Sequence, residues 1–446
     1  MKSSAKKKKR ESKREGGINR ITVAGYKSIC HEQSIEIRPL TILAGANSSG
    51  KSSIMQPLLL LKQTLEATYD PGALLLNGSH VRFTSADQCL SCKEKAADNH
   101  SFSIGIGLSN GESLLTQFKA IPKKGFDVKK MIYCRDEEKL NLQPGMTHEE
   151  ILKALSSSSF RELGSPPEPA KIIRLTVVRD RCFLNVEASL KVQKERWTAP
   201  LFPPGGRLGP YIRSLIHLPG LRGNPERTYP VTAVGPRYQG TFEKYAASVI
   251  AKWQADKSDK IQELGNDLER LGLTWKISSR WIDETQVELQ VGRLPHAVRG
   301  GAFDQVSIAD VGFGVSQTLP VLVALHAAKA GQLVYVEQPE IHLHPKAQVA
   351  LAEVLADAAK RGVRVVAETH SALLLLAVQT LVAEKKLDPS LIKLHWFNRE
   401  NGLTIITSAD LDEAGAFGDW PEDFCDVELG AESRYLDAVE TQQAKK

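Results

Sequence analysis

The chain has 446 residues, 42% hydrophobic and 25% charged, the balance of a globular protein with room for a large core and one or two insertions. It has no run of about 18 apolar residues to cross a membrane. The basic start speaks against a secretory signal, and six scattered cysteines exclude a disulfide framework and suit a reducing cytoplasm.

The formal charge of +6 lies entirely in residues 1–17, so the remainder is neutral. That stretch has almost nothing apolar to bury and reads as a disordered basic tail. It is either a solvated terminus, a non-specific hold on nucleic acid or another acidic surface, or a nuclear-import signal. A neutral body argues against a large DNA groove.

Residues 18–75 read as a β-rich N-terminal lobe that leads into a phosphate loop. Ile21, Val23, Ile35 and Ile37 mark short strands, and Leu40 to Ala44 a buried one. Gly45-Ala46-Asn47-Ser48-Ser49-Gly50-Lys51-Ser52 follows, a full G-x-x-x-x-G-K-[ST] pattern, and Ile54 to Leu61 continue as a helix. Glycines there let backbone N–H groups face a phosphate, and the helix start adds partial positive charge. The pattern predicts that Lys51 reaches the β- and γ-phosphates of ATP and that the Ser52 hydroxyl ligates Mg²⁺.

Residues 76–235 read as a mixed α+β insertion, with strands at Phe102–Ile106 and Ile172–Val178 and loops at 156–159 and 164–169. Residues 236–300 form a helical and β segment, helical over 242–272. A second lobe, 301–395, alternates strand and helix, which implies parallel pairing with ligand groups at the strands' carboxyl ends. Its strands are Leu333–Val336 and Val363–Ala367, and a helix runs from near Pro345 to just before Gly362. Residues 396–446 are a short C-terminal domain.

Three motifs of the second lobe complete a nucleotide site. Gly312, Gly314 and Ser316 precede an apolar helix and make an anion-ready start, with Pro320 expected in its first turn. Leu333 to Val336 followed by Glu337 describes a Walker B strand, whose carboxylate holds Mg²⁺ through water. Val365-Val366-Ala367-Glu368-Thr369-His370-Ser371 places His370 near a γ-phosphate, able to donate a hydrogen bond to it. Singly, each motif has an ordinary reading as a turn, a cap or a structural histidine; their order is the signal.

That order resembles the ABC-class ATPases, including the structural-maintenance-of-chromosomes (SMC) and RecF relatives. It is most similar to the OLD-like AAA ATPases of bacterial phage defence. The phosphate loop through Ser53, Glu337 to Pro345, Glu368 to Ser371, Gly220 to Tyr229 and the stretch from Asp412 to Phe424 carry the likeness. It covers residues 18–75 and 215–430. The resemblance implies an α/β fold: an ABC/RecF-like P-loop core with a β-rich N-terminal lobe, the mixed insertion and the C-terminal domain. It also implies that two subunits sandwich ATP head to tail, with Gly312, Gly314 and Ser316 meeting the γ-phosphate held by the partner. Those three match the family's signature only loosely, lacking its Ser-Gly-Gly core.

One departure bears on mechanism. The family usually ends its Walker B strand with Asp-Glu, and here the pair is Glu337-Gln338. Glutamine orients water but accepts no proton as a carboxylate does, so general-base help is weakened. Glu340 either supplies the missing carboxylate or caps the next segment. The expectation is slow hydrolysis, with ATP acting as an assembly clamp.

Other groups are weaker. Cys89 and Cys92 make half a zinc knuckle, with only His100 nearby and no second pair. His342 and His344 flank Leu343 in a turn. Arg222 and Arg227 could reach phosphate or a partner, and Trp420 with Phe424 reads as an anchor of the C-terminal segment. Too few residues follow His370 for a Toprim nuclease, so a nuclease or toxin effector would be a separate chain. The leading function is a cytoplasmic, homodimeric or higher homo-oligomeric ATPase that controls such a partner in anti-phage defence. The alternatives are a DNA-repair clamp that contacts DNA through residues 1–17 and a non-hydrolysing nucleotide sensor or scaffold.

Overall fold

The structure is a computed structural model describing residues 16–91, 100–155, 171–192, 195–296, 304–418 and 433–435. The basic tail to residue 15, the loops expected at 156–159 and 164–169, Cys92, Trp420, Phe424 and Cys425 lie outside the described residues.

The chain opens with β1 (Ile18–Ala24), β2 (Gln33–Glu36), β3 (Leu40–Gly45) and helix α1 (Lys51–Glu66). Next come β4 (Ser101–Leu108), β5 (Ser113–Ile121), β6 (Gly125–Arg135), β7 (Glu138–Leu142) and α2 (His148–Ala154). Then follow β8 (Lys171–Asp180), β9 (Phe183–Val192), β10 (Glu195–Phe202), α3 (Pro204–Ser214), β11 (Ile216–Leu218) and β12 (Tyr229–Pro230). Helices α4 (Ala246–Ala255) and α5 (Lys260–Arg270) precede β13 (Ile277–Trp281), β14 (Gln286–Gly292) and β15 (Gln305–Ser307). The last stretch is α6 (Phe313–Ala327), β16 (Leu333–Glu337), α7 (Pro345–Lys360), β17 (Arg364–Glu368), α8 (Ala372–Ala383), β18 (Ile392–Glu400) and β19 (Leu403–Ala409).

The strands sort into an α/β architecture. A six-stranded sheet runs β2-β1-β4-β5-β6-β7, all antiparallel, so residues 101–142 extend the same sheet as residues 18–36. The central sheet runs β11-β16-β17-β3-β18-β19, parallel except for the β18–β19 edge hairpin. Two smaller sheets, β10-β9-β8 and β12-β14-β13 with β15, flank these.

β3 is buried along its whole length because both faces of its sheet are covered. Leu40, Ile42 and Ala44 point into one core with α4–α8. Leu43 points into the other, with α1 and the antiparallel sheet. The strands expected at 40–44, 102–106, 172–178, 333–336 and 363–367 form, as do the helices after Lys51 and from Pro345. Pro320 is a correction. Gly312 caps α6, whose first residue is Phe313, so Pro320 sits about two turns inside the helix rather than in its first turn. Gly314 and Ser316 are thus themselves helical, and Pro320 removes the N–H that would bond the Ser316 carbonyl.

Candidate functional site

The loop between β3 and α1 has the backbone its glycines permit. Gly45 sits at φ 143° and Gly50 at φ 103°, and a Cβ would lie 2.3 Å from the Phe397 carbonyl oxygen and 2.1 Å from Thr404 Oγ1, respectively. Ser48 is left-handed at φ 60°. Two outside groups hold the loop: Thr404 Oγ1 bridges the Ser49 carbonyl (2.7 Å) and the Ser28 hydroxyl (2.7 Å), and Arg399 Nη1 donates to the Ser48 carbonyl (3.2 Å). Lys51 folds back, donating from Nζ to the carbonyls of Gly45 (2.9 Å) and Ala46 (2.8 Å). Burial lowers its pKa, opposed by the carboxylates of Glu368 and Glu340.

A cavity of about 770 Å³ opens over this loop. Asn47, Ser48, Gly50, Lys51, Ser52 and Ser53 line it, together with Gln338, Glu368 and His370. Ser49 lies behind the wall, its Oγ buried without a hydrogen-bond partner. The strand order explains the gathering. β3 is flanked by β17 and β18, so the ends of those strands meet the loop, with Phe397 beside Gly45 and Glu368 beside Leu43.

Each acidic or histidine group has a distinct place. Glu368 Oε1 accepts from Ser52 Oγ (2.9 Å) and its Oε2 from the Tyr335 hydroxyl (2.7 Å). Burial raises the Glu368 pKa, with Glu337 adding to the rise. Burial and the Lys51 charge lower the His370 pKa, partly offset by a hydrogen bond to the Gly45 backbone, so its ring favours the neutral form. Gln338 sits at φ 45° and its N–H donates to the Glu368 carbonyl (2.7 Å). Arg222 Nη2 donates to the carbonyls of Glu337 (2.6 Å) and Gln338 (3.1 Å) and so supports this corner from beneath.

Glu337 and Glu340 do not line the cavity. Glu340 Oε1 accepts from Thr369 Oγ1 (2.8 Å) and the His370 N–H (2.9 Å), which ties down the turn that carries His370. Glu337 accepts from the Gly220 N–H (3.2 Å) and contacts His217 Nε2 (3.2 Å). Burial pushes its carboxyl up, but His217, the Gly220 N–H and Arg222 outweigh it and leave the pKa lowered. Gly312, Gly314 and Ser316 are also absent from the cavity wall. They start α6 on the other side of the Glu340–His344 turn, where Gly314 approaches the His342 carbonyl and Phe313 lies 5.8 Å from the His342 ring.

The donor chemistry fits a nucleotide with Mg²⁺. The loop cradle, where a Cβ at either glycine would clash, and the helix start suit phosphate. The Ser52 hydroxyl and the Glu368 carboxylate, with no sulfur in the cavity wall, suit a hard oxygen-seeking cation. Among the described residues no group of three or more His, Cys, Asp or Glu forms a metal site by itself, and this includes His342 and His344. Cys89 is a free, buried thiol. Lys27, Gln56, Asp87, Gln88 and Arg399 also face the cavity and were not legible beforehand. Gln56 lies on α1 one turn beyond Ser52, while the others come from separate elements that no spacing joins to the motif. Glu368 had a signal, its place at the end of a strand just before Thr369-His370.

Two stretches of the chain match known domain families. Residues 17–161, which hold the phosphate loop, match a model described as an AAA ATPase domain. Residues 223–377, which hold β16, β17 and His370, match an AAA-domain model whose description names the AbiEii toxin and type IV TA systems. No curated protein matches the chain. Among solved structures, the chain is similar to an SMC head bound to the C-terminal winged-helix domain of ScpA, at 14% identity and TM-score 0.45, covering 89% of this chain and 99% of that one. The SMC head domain of Thermotoga maritima aligns at 11% identity and TM-score 0.39, covering 88% and 98%. The fold itself rests on this chain's own strand order. The central parallel sheet and the phosphate loop give the chain a P-loop ATPase fold, and two separate stretches of it match AAA-domain models. No described helix is long and apolar enough to cross a membrane.

Proposed function

We propose that the chain binds Mg²⁺-ATP at residues 45–53, pairs head to tail with a second copy around it, hydrolyses it slowly, and in the ATP-bound assembly controls a separate effector, a nuclease or toxin, in anti-phage defence. One observation carries the pairing. Gly312 caps α6 with open space around it, Phe313 beside it is half exposed, and neither faces the chain's own cavity. An anion-ready helix start is thus left for a phosphate held elsewhere. Slow hydrolysis follows from Gln338, which faces the cavity where a proton-accepting carboxylate is usual. The toxin–antitoxin description of the matched AAA model supports the effector context.

Sedimentation with and without a slowly hydrolysed ATP analogue tests the pairing. The wild type is expected to dimerise with nucleotide. Lys51→Ala should lose both binding and dimerisation. Gly312→Trp should keep nucleotide binding and lose the dimer, since a Cβ at this exposed position meets nothing within 4 Å. A chain that binds the analogue to saturation and stays monomeric refutes the sandwich. Single-turnover hydrolysis by Gln338→Glu, expected to rise, checks the catalytic part.

A further inference from the structure

The Walker B pattern assigns the Mg²⁺ carboxylate to Glu337, but the side chains are arranged differently. Both Glu337 oxygens are engaged away from the phosphate loop, by His217 and by the Gly220 N–H. His217 is itself fixed. Its ring stacks on Tyr335 at 5.4 Å and 8°, its Nδ1 lies 3.0 Å from Nδ1 of His80, and His80 Nε2 lies 3.2 Å from Glu66 at the far end of α1. Glu337 is thus tied through two buried imidazoles to the C-terminal end of the helix that begins at Lys51.

Glu368 stands where Glu337 was expected. Only 6% exposed, it lines the cavity and touches the Ser52 hydroxyl. Among the described residues no lysine or arginine lies within ion-pair distance of it; Lys51, whose charge acts on it from further off, gives its Nζ to the Gly45 and Ala46 carbonyls. A buried carboxylate held by two hydroxyls and only a distant ammonium gains from a cation that reaches it directly. The spacing suits one: adjacent oxygens of an octahedron with ligands at about 2.0–2.1 Å are about 2.9 Å apart, and Ser52 Oγ and Glu368 Oε1 are 2.9 Å apart. β17 lies between β16 and β3, and its last residue pairs with Leu43 just before the loop.

We propose that Glu368, together with Ser52, takes the Mg²⁺ of the bound nucleotide, and that Glu337 is a positioning residue held by His217, His80 and Glu66. This rests on the ATP-binding reading above. The test is the affinity of the full chain for a fluorescent ATP analogue in Mg²⁺ and in EDTA, with Mn²⁺ as a paramagnetic probe of the metal in the same complex. Glutamine at 368 keeps the shape and can still accept from Tyr335, so the fold should survive, and the thermal midpoint checks that it does. Glu368→Gln is expected to lose at least about tenfold of the Mg²⁺-dependent gain in affinity, to keep its affinity in EDTA, and to lose the protein-bound Mn²⁺ signal. Glu337→Gln should keep the Mg²⁺ gain within about threefold. Equal losses in both variants, or a loss in Glu337→Gln alone, overturn the assignment. A wild type that binds no nucleotide in either buffer instead overturns the ATP site and the assignment with it.

Discussion

Gly45→Ala tests whether the phosphate loop is held as described. Gly45 lies at φ 143°, and an added Cβ would sit 2.3 Å from the Phe397 carbonyl oxygen and 3.1 Å from Ser49 Oγ. Phe397 pairs with Gly45 in the β3–β18 ladder, so the oxygen cannot swing aside without breaking the sheet beside the site. The backbone conformation alone costs an L-residue about 1–3 kcal/mol. Overlap with a fixed atom adds about 1–3 kcal/mol. The variant should therefore lose about 2–6 kcal/mol. Gly111→Ala separates the two parts, because Gly111 has φ 89° with nothing near its missing Cβ and should show the first cost only. Urea unfolding of both variants, read as midpoints at a common slope, gives the difference. Equal destabilisation of the two would refute the claim that Phe397 clamps the loop. ATP affinity should fall in Gly45→Ala and stay unchanged in Gly111→Ala.

Three further outcomes are expected. His395 is buried between Ser408 Oγ (2.7 Å) and the Glu36 carbonyl (2.8 Å), and burial pushes its pKa down to about 4. A pKa below the unfolded value means that its contribution is intact above about pH 6.5 and is lost as pH falls toward 4, roughly 3 kcal/mol in all. Urea midpoints across that window should be flatter in His395→Gln, and an unchanged slope would exclude His395 as the source. Arg222→Met leaves the carbonyls of Gln317, Glu337 and Gln338 without their charged donor. A loss of about 3 kcal/mol is expected in denaturant, partly recovered by Arg222→Lys. Thr404→Val keeps the shape but removes the hydroxyl that joins Ser49 to Ser28, and should cost about 1–2 kcal/mol and weaken ATP binding severalfold by calorimetry.

Much of the site could be read locally. The glycines, Lys51 and Ser52 lie within one strand–loop–helix unit, where spacing along the chain is also spacing in the fold. The apolar runs at 333–336 and 363–367 needed only their pattern to become buried strands, and the Thr369-His370 turn follows directly from the second. The antiparallel sheet that joins residues 18–36 to residues 101–142 was harder to see. Its pairing depends on contacts across a long separation, and alternation does not name a partner strand. Pro320 was misplaced by a helix boundary, since Gly312 caps α6 earlier than the apolar run suggested.

The sequence by itself therefore determined the phosphate loop and the strand-end positions of Glu368 and His370, because both depend on short-range backbone geometry. Tertiary structure alone decided which strand lies next to the phosphate loop. Hydrogen bonding set β17 between β16 and β3, so Glu368 faces Ser52 while Glu337 turns toward His217.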